Sequence, residues 1–331
     1  MNTSPITPWG RPIHGPTLPG QGIRCARQSP LTPAEVEEVA EIIARGRTER
    51  RSAVLPERLK TRHWDSIMAV MERLNAKLAA PPAGRTPQAS SAAVQKAGGL
   101  LPAGRTPQAS SAAVQKAGGL LPAGWKVGAA SLEIQNAEGV PGPAPGRLSR
   151  KGVYASPALL PAHLFINYRC SECEFAFRMA GDRPPRESPY TEGEVAERVE
   201  SLLPALEIGD TVFEDWYGAS GYLGSSLDNG GAAAFVHGAP VHDWRRFDLT
   251  AAKIDLYLNG QFVKSGYGRA AMGNPLTSLT WLANWLRVRG QGLLAGEFVS
   301  TGTCTGHFFA APGDRLDADF GEIGKLVVTY E

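Results

Sequence analysis

The sequence predicts an α+β fold: a β-rich domain over 125–331 with helices on its outside, preceded by a helical N-terminal region. Three observations predict it. From Trp125 onward, short β-prone runs such as "GWKVGAAS", "ECEFAFRM", "LLPALEIGD", "KIDLYLNGQFVKSG" and "KLVVTY" alternate with Gly, Pro and Asp. Only a few stretches of helical spacing interrupt them. No G-x-G-x-x-G follows a strand and no Walker sequence occurs, which argues against a βαβ nucleotide-binding fold. With 331 residues, 43% of them hydrophobic and 20% charged, the chain can bury a substantial core.

Residues 1–30 hold several prolines and glycines without periodicity and read as an N-terminal arm. The helical region, 31–124, opens with "LTPAEVEEVAEIIARG" (31–46), which carries a Thr cap, Pro in the first turn, early glutamates and apolar residues at helical spacing. A second amphipathic helix is predicted over 63–80. The basic cluster "ARGRTERR" (44–51) reads as a solvated helix face or helix end. Residues 82–101, "PAGRTPQASSAAVQKAGGLL", recur letter for letter at 102–121. A verbatim copy points to a tandem duplication or an artefact, since solenoid repeats keep spacing and let letters drift. One copy is expected to be surplus, and each is expected to form a short helix over "PQASSAAVQKA". Within 125–331, helices are predicted at 192–203 and 275–290, and the "GNP" and "NG" dipeptides read as turns.

Formal net charge is +2, from 34 basic and 32 acidic residues, so no long-range field draws the chain to nucleic acid or anionic lipid. No run of 18 apolar residues exists, and the first residues have neither a basic nor an apolar leader segment. A cytoplasmic protein with no membrane and no nucleic-acid partner is expected. Cys25, Cys170, Cys173 and Cys304 are too few and scattered for a disulfide framework; buried free thiols are expected, with a redox or zinc role as the alternative, and the lone C-x-x-C at 170–173 would need a second such pair or well-placed histidines to hold zinc.

The stretch "CSECEFAF" (170–177) raises the chemical question. Residues two apart in a strand share a face, so Glu172 and Glu174 project together while Cys173 and Phe175 face the other way. Two nearby carboxylates repel unless a cation or shared proton compensates, so the pair is either a metal site or a solvent-facing edge. Glu207 lies in the apolar run "LLPALEIGD", where an unpartnered carboxylate is costly. Three carboxylates make a hard, all-oxygen site suited to Mg²⁺ or Mn²⁺. Lys126, in "GWKVGAA", is either a partly buried lysine that holds an acid or moves protons, or a surface residue.

Taken in order, "GWKVG", "ECEFAF", "ALEIGD", "LDNGGAAAFVHG", "GRAAMGNPLTSLTWLANWL", "LLAGEFVSTGT" and "APGDRLDADFGEIGKLVVTY" resemble the fumarylacetoacetate hydrolase superfamily, on its branch of 2-keto-4-pentenoate hydratases and 4-oxalocrotonate decarboxylases. The resemblance implies a mixed β-roll with peripheral helices, assembled as a homodimer or larger homo-oligomer. It implies Mg²⁺ or Mn²⁺ on Glu172, Glu174 and Glu207, and Lys126 as a catalytic residue. A small 2-oxo or enol carboxylic acid would chelate the cation, which stabilises the enolate. The expected function is therefore a metal-dependent hydratase; the alternatives are decarboxylation of a vinylogous 2-oxo diacid, or a weakened binding paralogue in a hetero-complex. None of the six histidines falls in a recognisable copy of the superfamily's hydrolytic His-Glu dyad.

One departure stands out. Hydratases of this branch carry an aspartate after "GV" where this chain reads "GVPGPAPGRLSRKGVY" (139–154), with Ala144 or a neighbouring proline at the position. Asp228, Glu133 or Glu138 would then have to serve as the acid, and Arg147 could pair a substrate carboxylate in the gap. Asp228 and Asn229 match the family's Ala-Asp-Asn segment, where a turn role is the alternative. In "TGTCTGHFF" (301–309), Thr301, Thr303 and Thr305 share a face if the stretch is a strand, and hydroxyls there could meet a substrate carboxylate.

Overall fold

The computed structural model describes residues 29–79, 122–138, 140–216 and 224–331; the tandem copies at 82–121, their expected helices and most of the N-terminal arm lie outside these residues. Helix α1 (Pro33–Glu49) starts where the sequence places it. Thr32 Oγ1 accepts the Glu35 N–H, and Glu35 Oε2 accepts the Thr32 N–H at 2.8 Å, a reciprocal capping box. It buries Val39, Ala40, Ile43 and Gly46 along one stripe, against Ile67, Val70, Met71 and Leu74 of helix α2 (Trp64–Ala79). Their outer faces are tied by Glu37 to Arg73 and Lys77. The same core takes in Val140, Ala144, Val212, Phe213 and Leu227, so the two helices pack on the β-rich body.

That body is two mixed sheets. The larger runs β2 (Ala144–Ser149), β1 (Pro122–Gly128), β10 (Phe298–Ser300), β5 (Cys170–Met179), β6 (Val199–Gly209), β7 (Ala232–His237) and β3 (Val153–Ala155), with β11 (Phe308–Phe309) paired to the start of β5. The smaller runs β4 (Ala158–Leu160), β13 (Lys325–Tyr330), β12 (Arg315–Asp319), β8 (Lys253–Leu258) and β9 (Gln261–Tyr267). Alternation along β5 fixes how they meet. Cys173, Phe175, Phe177 and Met179 join Ile254, Leu256, Leu316, Leu326 and Val328 of the smaller sheet in the main core, together with Leu279, Leu282 and Leu286 of a helix at Pro275–Arg287. Glu172, Glu174 and Ala176 therefore face the opposite side.

The larger sheet curls until β2 packs against β7, and Asn229 fastens the two edges. Its Nδ2 donates to the Arg147 carbonyl and its Oδ1 accepts the Arg147 N–H, both at 2.9 Å, so one side chain stands in for a ladder step. Asn75 Nδ2 of α2 donates to the same Oδ1 at 3.0 Å. The fold is α+β with mixed sheets, and no closed barrel forms among the described residues.

Two expectations about elements are corrected. The helix expected over 192–203 spans only Glu192–Ala196, and β6 begins at Val199. Helical spacing in "VAERVESLL" loses to pairing with β5, which puts Leu202, Leu206 and Ile208 in the core. The threonine stretch is no strand, because β10 ends at Ser300 and residues 301–307 run as irregular chain. Cys170, Cys173 and Cys304 are buried and form no disulfide, as expected, and Cys25 lies outside the described residues. No helix among the described residues is long and apolar enough to cross a membrane.

Candidate active site

Strand register brings the three glutamates together. Glu172 of β5 lies directly opposite Glu207 of β6, and directly opposite residues of an antiparallel pair share a face. Glu174 follows on that face. One carboxylate oxygen from each lies within 4.8 Å of the others, and all three residues are buried. Glu174 is held from two sides: its Oε2 accepts Ser300 Oγ at 2.6 Å and the Gly302 N–H at 2.8 Å. Glu207 is not. Neither of its oxygens receives a directional hydrogen bond.

Lys126 reaches the same spot from β1. It pairs with Gly146 on one side and Ser300 on the other, which sets its side chain on the carboxylate face. The curl of the sheet then lets its Nζ stand 2.7 Å from Glu207 Oε1 while donating to the Gly230 carbonyl at 2.6 Å. Two glycines make room for the stem. A Cβ on Gly146 would meet Lys126 Cγ at 2.9 Å, and one on Gly230, whose φ of +64° already favours glycine, would meet Lys126 Cε at 2.7 Å.

Burial dominates the electrostatics. It pushes Glu174 well above the usual carboxylate range, with Glu207 and Glu172 adding repulsion. Burial likewise raises Glu172, against the pull of Lys126 and the Thr303 hydroxyl. Glu207 is pushed up to about 7 by burial, with Lys126 opposing and Glu172 adding. Burial alone would lower Lys126, yet the adjoining Glu207 and Glu172 carboxylates hold its ammonium above its ordinary range. The Lys126 ammonium, with Lys264 acting more weakly on Glu172, leaves three dry carboxylates short of positive charge. That deficit, together with the orphaned Glu207 oxygens, fits a hard dication on Glu172, Glu174 and Glu207.

No family model matches the chain. Over 138 residues it is 29% identical to the 4-oxalocrotonate decarboxylase of Pseudomonas putida, covering 42% of this chain and 52% of that protein. Over 161 residues it is 32% identical to the 2-hydroxyhexa-2,4-dienoate hydratase of Comamonas testosteroni, covering 48% and 59%. The match thus spans between half and three-fifths of the length of these curated relatives. The fold superposes on 4-oxalocrotonate decarboxylase from Pseudomonas putida G7, solved with magnesium and adipate, with a TM-score of 0.69 at 19% identity. That superposition covers 92% of this chain and all of the other. The chain is thus similar in sequence to hydratases and decarboxylases, and in fold to a decarboxylase, in line with its resemblance to that branch of the fumarylacetoacetate hydrolase superfamily.

The residues singled out from sequence divide between two places. Lys126, Glu172, Glu174, Glu207 and Thr303 converge. Thr301 is close by but turned to structure, its Oγ1 donating to the Phe175 carbonyl at 2.7 Å. Asp228, Asn229 and Arg147 instead line a cavity of about 620 Å³ between the two N-terminal helices and β2, which neither Lys126 nor any of the three glutamates lines. Asp228 is fully buried there, with Oδ1 paired to Arg47 Nε at 2.8 Å and Oδ2 accepting the Val212 N–H at 2.8 Å. Both oxygens of Asp228, a candidate acid from the sequence, are thus engaged away from the three glutamates. Arg47, expected on a solvated helix end, is its partly buried partner. Asn229, matched to the family's Ala-Asp-Asn segment, uses its amide to close the roll. Arg147 lies over the Trp125 ring, 3.3 Å from the centroid, and its nearest acid is Glu297 at 3.5 Å. Lys126 and the three glutamates thus gather at one place, while in the 620 Å³ cavity the buried Asp228 carboxylate is paired with Arg47.

Ala144, where the branch carries an aspartate, pairs with Gly128 at the start of β2 and is buried on the Lys126 side of the strand. Glu133, the other described candidate acid, is exposed on a short helix at Leu132–Glu138. Sequence reading missed His307, whose Nε2 lies 3.4 Å from Glu172 Oε1. It also missed Ser300 and the Gly302 N–H. No spacing signal reveals them, because all three reach the glutamates through chain more than 120 residues away.

Proposed function

We propose that this chain is a divalent-metal-dependent lyase of the hydratase type, acting on a 2-oxo or 2-hydroxydienoic acid, with residues 125–331 as its catalytic unit. The observation that carries the reading is the dry triad of Glu172, Glu174 and Glu207, with Lys126 Nζ 2.7 Å from Glu207. The branch relatives, hydratases and decarboxylases, support the same class. Glu172, Glu174 and Glu207 would hold Mg²⁺ or Mn²⁺, which supplies Lewis acidity toward a chelating 2-oxo acid.

The protein's own groups do the rest. Ser300 and the Gly302 N–H hold Glu174 in one rotamer, so the triad is aimed before ligand arrives. Lys126, whose Nζ donates to the Gly230 carbonyl and stands 2.7 Å from Glu207 Oε1, has donor capacity left for a substrate carboxylate or for delivering a proton to the dienolate carbon. The sheet excludes water on the core side. A cytoplasmic homodimer or larger homo-oligomer is the state this reading expects, and sedimentation of the full chain checks its size.

The deciding experiment is steady-state turnover of 2-hydroxypenta-2,4-dienoate and of a vinylogous 2-oxo diacid, before and after chelation. Activity should vanish on chelation and return with Mg²⁺ or Mn²⁺. Lys126→Ala should cost about 10²–10⁴-fold in kcat, the usual worth of positioned proton transfer. Turnover that survives chelation, or an unimpaired Lys126→Ala, overturns the reading.

A further inference from the structure

β11 pairs antiparallel with the start of β5, Phe308 opposite Ser171 and Phe309 opposite Cys170. One step along that register His307 stands beside Glu172, with Nε2 3.4 Å from Oε1. Cys170 lies two residues before Glu172 and so on the same face of β5. A thiol, a carboxylate oxygen and an imidazole nitrogen thereby gather within 4.8 Å of one another. We propose that Cys170, Glu172 and His307 form a second metal site, for a thiophilic dication of the Zn²⁺ class, sharing Glu172 with the glutamate triad.

The donor set differs in kind from the triad. Sulfur, nitrogen and oxygen together select Zn²⁺ or Co²⁺ over Mg²⁺, which takes oxygen alone. Geometry agrees: ligands about 2.0–2.1 Å from a tetrahedral Zn²⁺ stand about 3.3–3.4 Å apart, the separation already present between His307 and Glu172. A thiolate would need to sit about 3.6 Å from its neighbours, so Cys170 Sγ has at most about an ångström to close. The fourth position would be open to water or ligand.

The imidazole is held for the task. Lys264 Nζ donates to the carbonyls of His307 at 2.8 Å and Gly306 at 3.3 Å, fixing the chain that presents it. The rings of Trp216 and Phe309 pack edge-on against it, at centroid distances of 5.6 and 6.2 Å. The Lys264 charge opposes a dication, and the thiolate and carboxylate ligands offset it. Because Glu172 belongs to both sets, a Zn²⁺ here weakens whatever cation the triad holds, and by linkage that cation weakens Zn²⁺ equally. The site itself does not rest on the proposed lyase function.

Co²⁺ titration of the chelator-treated full chain tests it. Wild type should develop a thiolate-to-cobalt charge-transfer band and the intense visible bands of tetrahedral Co²⁺, both reversed by Zn²⁺. Glu207→Gln, which disables the triad, should keep them. Cys170→Ser should abolish the charge-transfer band, and His307→Gln should weaken Co²⁺ binding at least about tenfold. Absence of the band in wild type, or its persistence in Cys170→Ser, overturns the proposal. Loss of the bands in Glu207→Gln would mean that Co²⁺ sits in the triad, which also overturns it.

Discussion

Two buried polar regions of this chain lie either side of the turn at Gly230, and they treat their charges in opposite ways. Around Asp228 every demand is met. Arg47 and the Val212 N–H take up its oxygens, and neighbouring Asp210 accepts three backbone N–H groups, from Ile166, Asn167 and Tyr168, at 2.7–2.9 Å. Around Glu207 demand exceeds supply: three carboxylates share the Lys126 ammonium, with Lys264 acting more weakly on Glu172, and two buried oxygens lack a hydrogen bond. A charge buried with full satisfaction holds architecture together. One buried without it carries a free-energy cost that a bound cation or a captured proton relieves.

The largest effect should come from breaking the satisfied region. Asp228→Ala leaves the partly buried Arg47 without its carboxylate and frees the Val212 N–H, and removing one member of a buried ion pair typically costs about 3–5 kcal/mol. Urea denaturation should show that loss, while the folded fraction binds Mn²⁺ as wild type does. A normal midpoint with lost Mn²⁺ affinity would reverse the roles assigned to the two regions.

Glu207→Gln attacks the other region and should behave inversely. It removes one of three repelling carboxylates, and the amide oxygen that replaces the Lys126 partner can still accept from the ammonium, so the metal-free protein should lose less stability than Asp228→Ala does. Its deficit appears on adding metal. Wild type in Mg²⁺ or Mn²⁺ at a hundred times Kd should gain about 2.7 kcal/mol, and the variant at that same concentration should gain almost nothing. Equal metal-induced shifts in Tm would remove Glu207 from the ligand set.

How much of this was legible in the sequence follows the range over which each feature is specified. The capping box at Thr32 and Glu35, the N-cap of the helix at Pro275, and the shared face of Glu172 and Glu174 depend on neighbours within a few residues. Glu207 was visible because a carboxylate in an apolar run needs a reason. The β-roll itself, and Lys126 as a site residue, became readable through resemblance rather than pattern. The partnership of Arg47 with Asp228 joins residues 181 apart, so local pattern put Arg47 in solvent and Asp228 at the chemistry. His307 was missed for the same reason, since only the pairing of β11 with β5 carries it to Glu172. The strand at Val199 was misread because sheet pairing overrode helical spacing.

The smallest effects offer the sharpest comparison, because the two regions' logic is repeated by two threonines two residues apart. Thr301 Oγ1 donates to the Phe175 carbonyl at 2.7 Å, a satisfied bond between irregular chain and β5. The Thr303 hydroxyl is buried without a directional partner, and it lies near enough to Glu172 to favour that carboxylate's charge. Valine matches threonine in shape and deletes only the hydroxyl. Thr301→Val should therefore cost about 1 kcal/mol of stability, the net worth of an ordinary buried hydrogen bond, and leave Mn²⁺ affinity alone. Thr303→Val should leave stability unchanged or slightly higher, since it removes an unpaired buried hydroxyl, and weaken Mn²⁺ binding about threefold to tenfold by withdrawing a dipole from Glu172. Paired denaturation midpoints and Mn²⁺ titrations on both variants measure the contrast. If Thr303→Val loses stability and keeps its affinity, its hydroxyl belongs to the architecture, and the division between satisfied scaffold and unsatisfied site fails at this position.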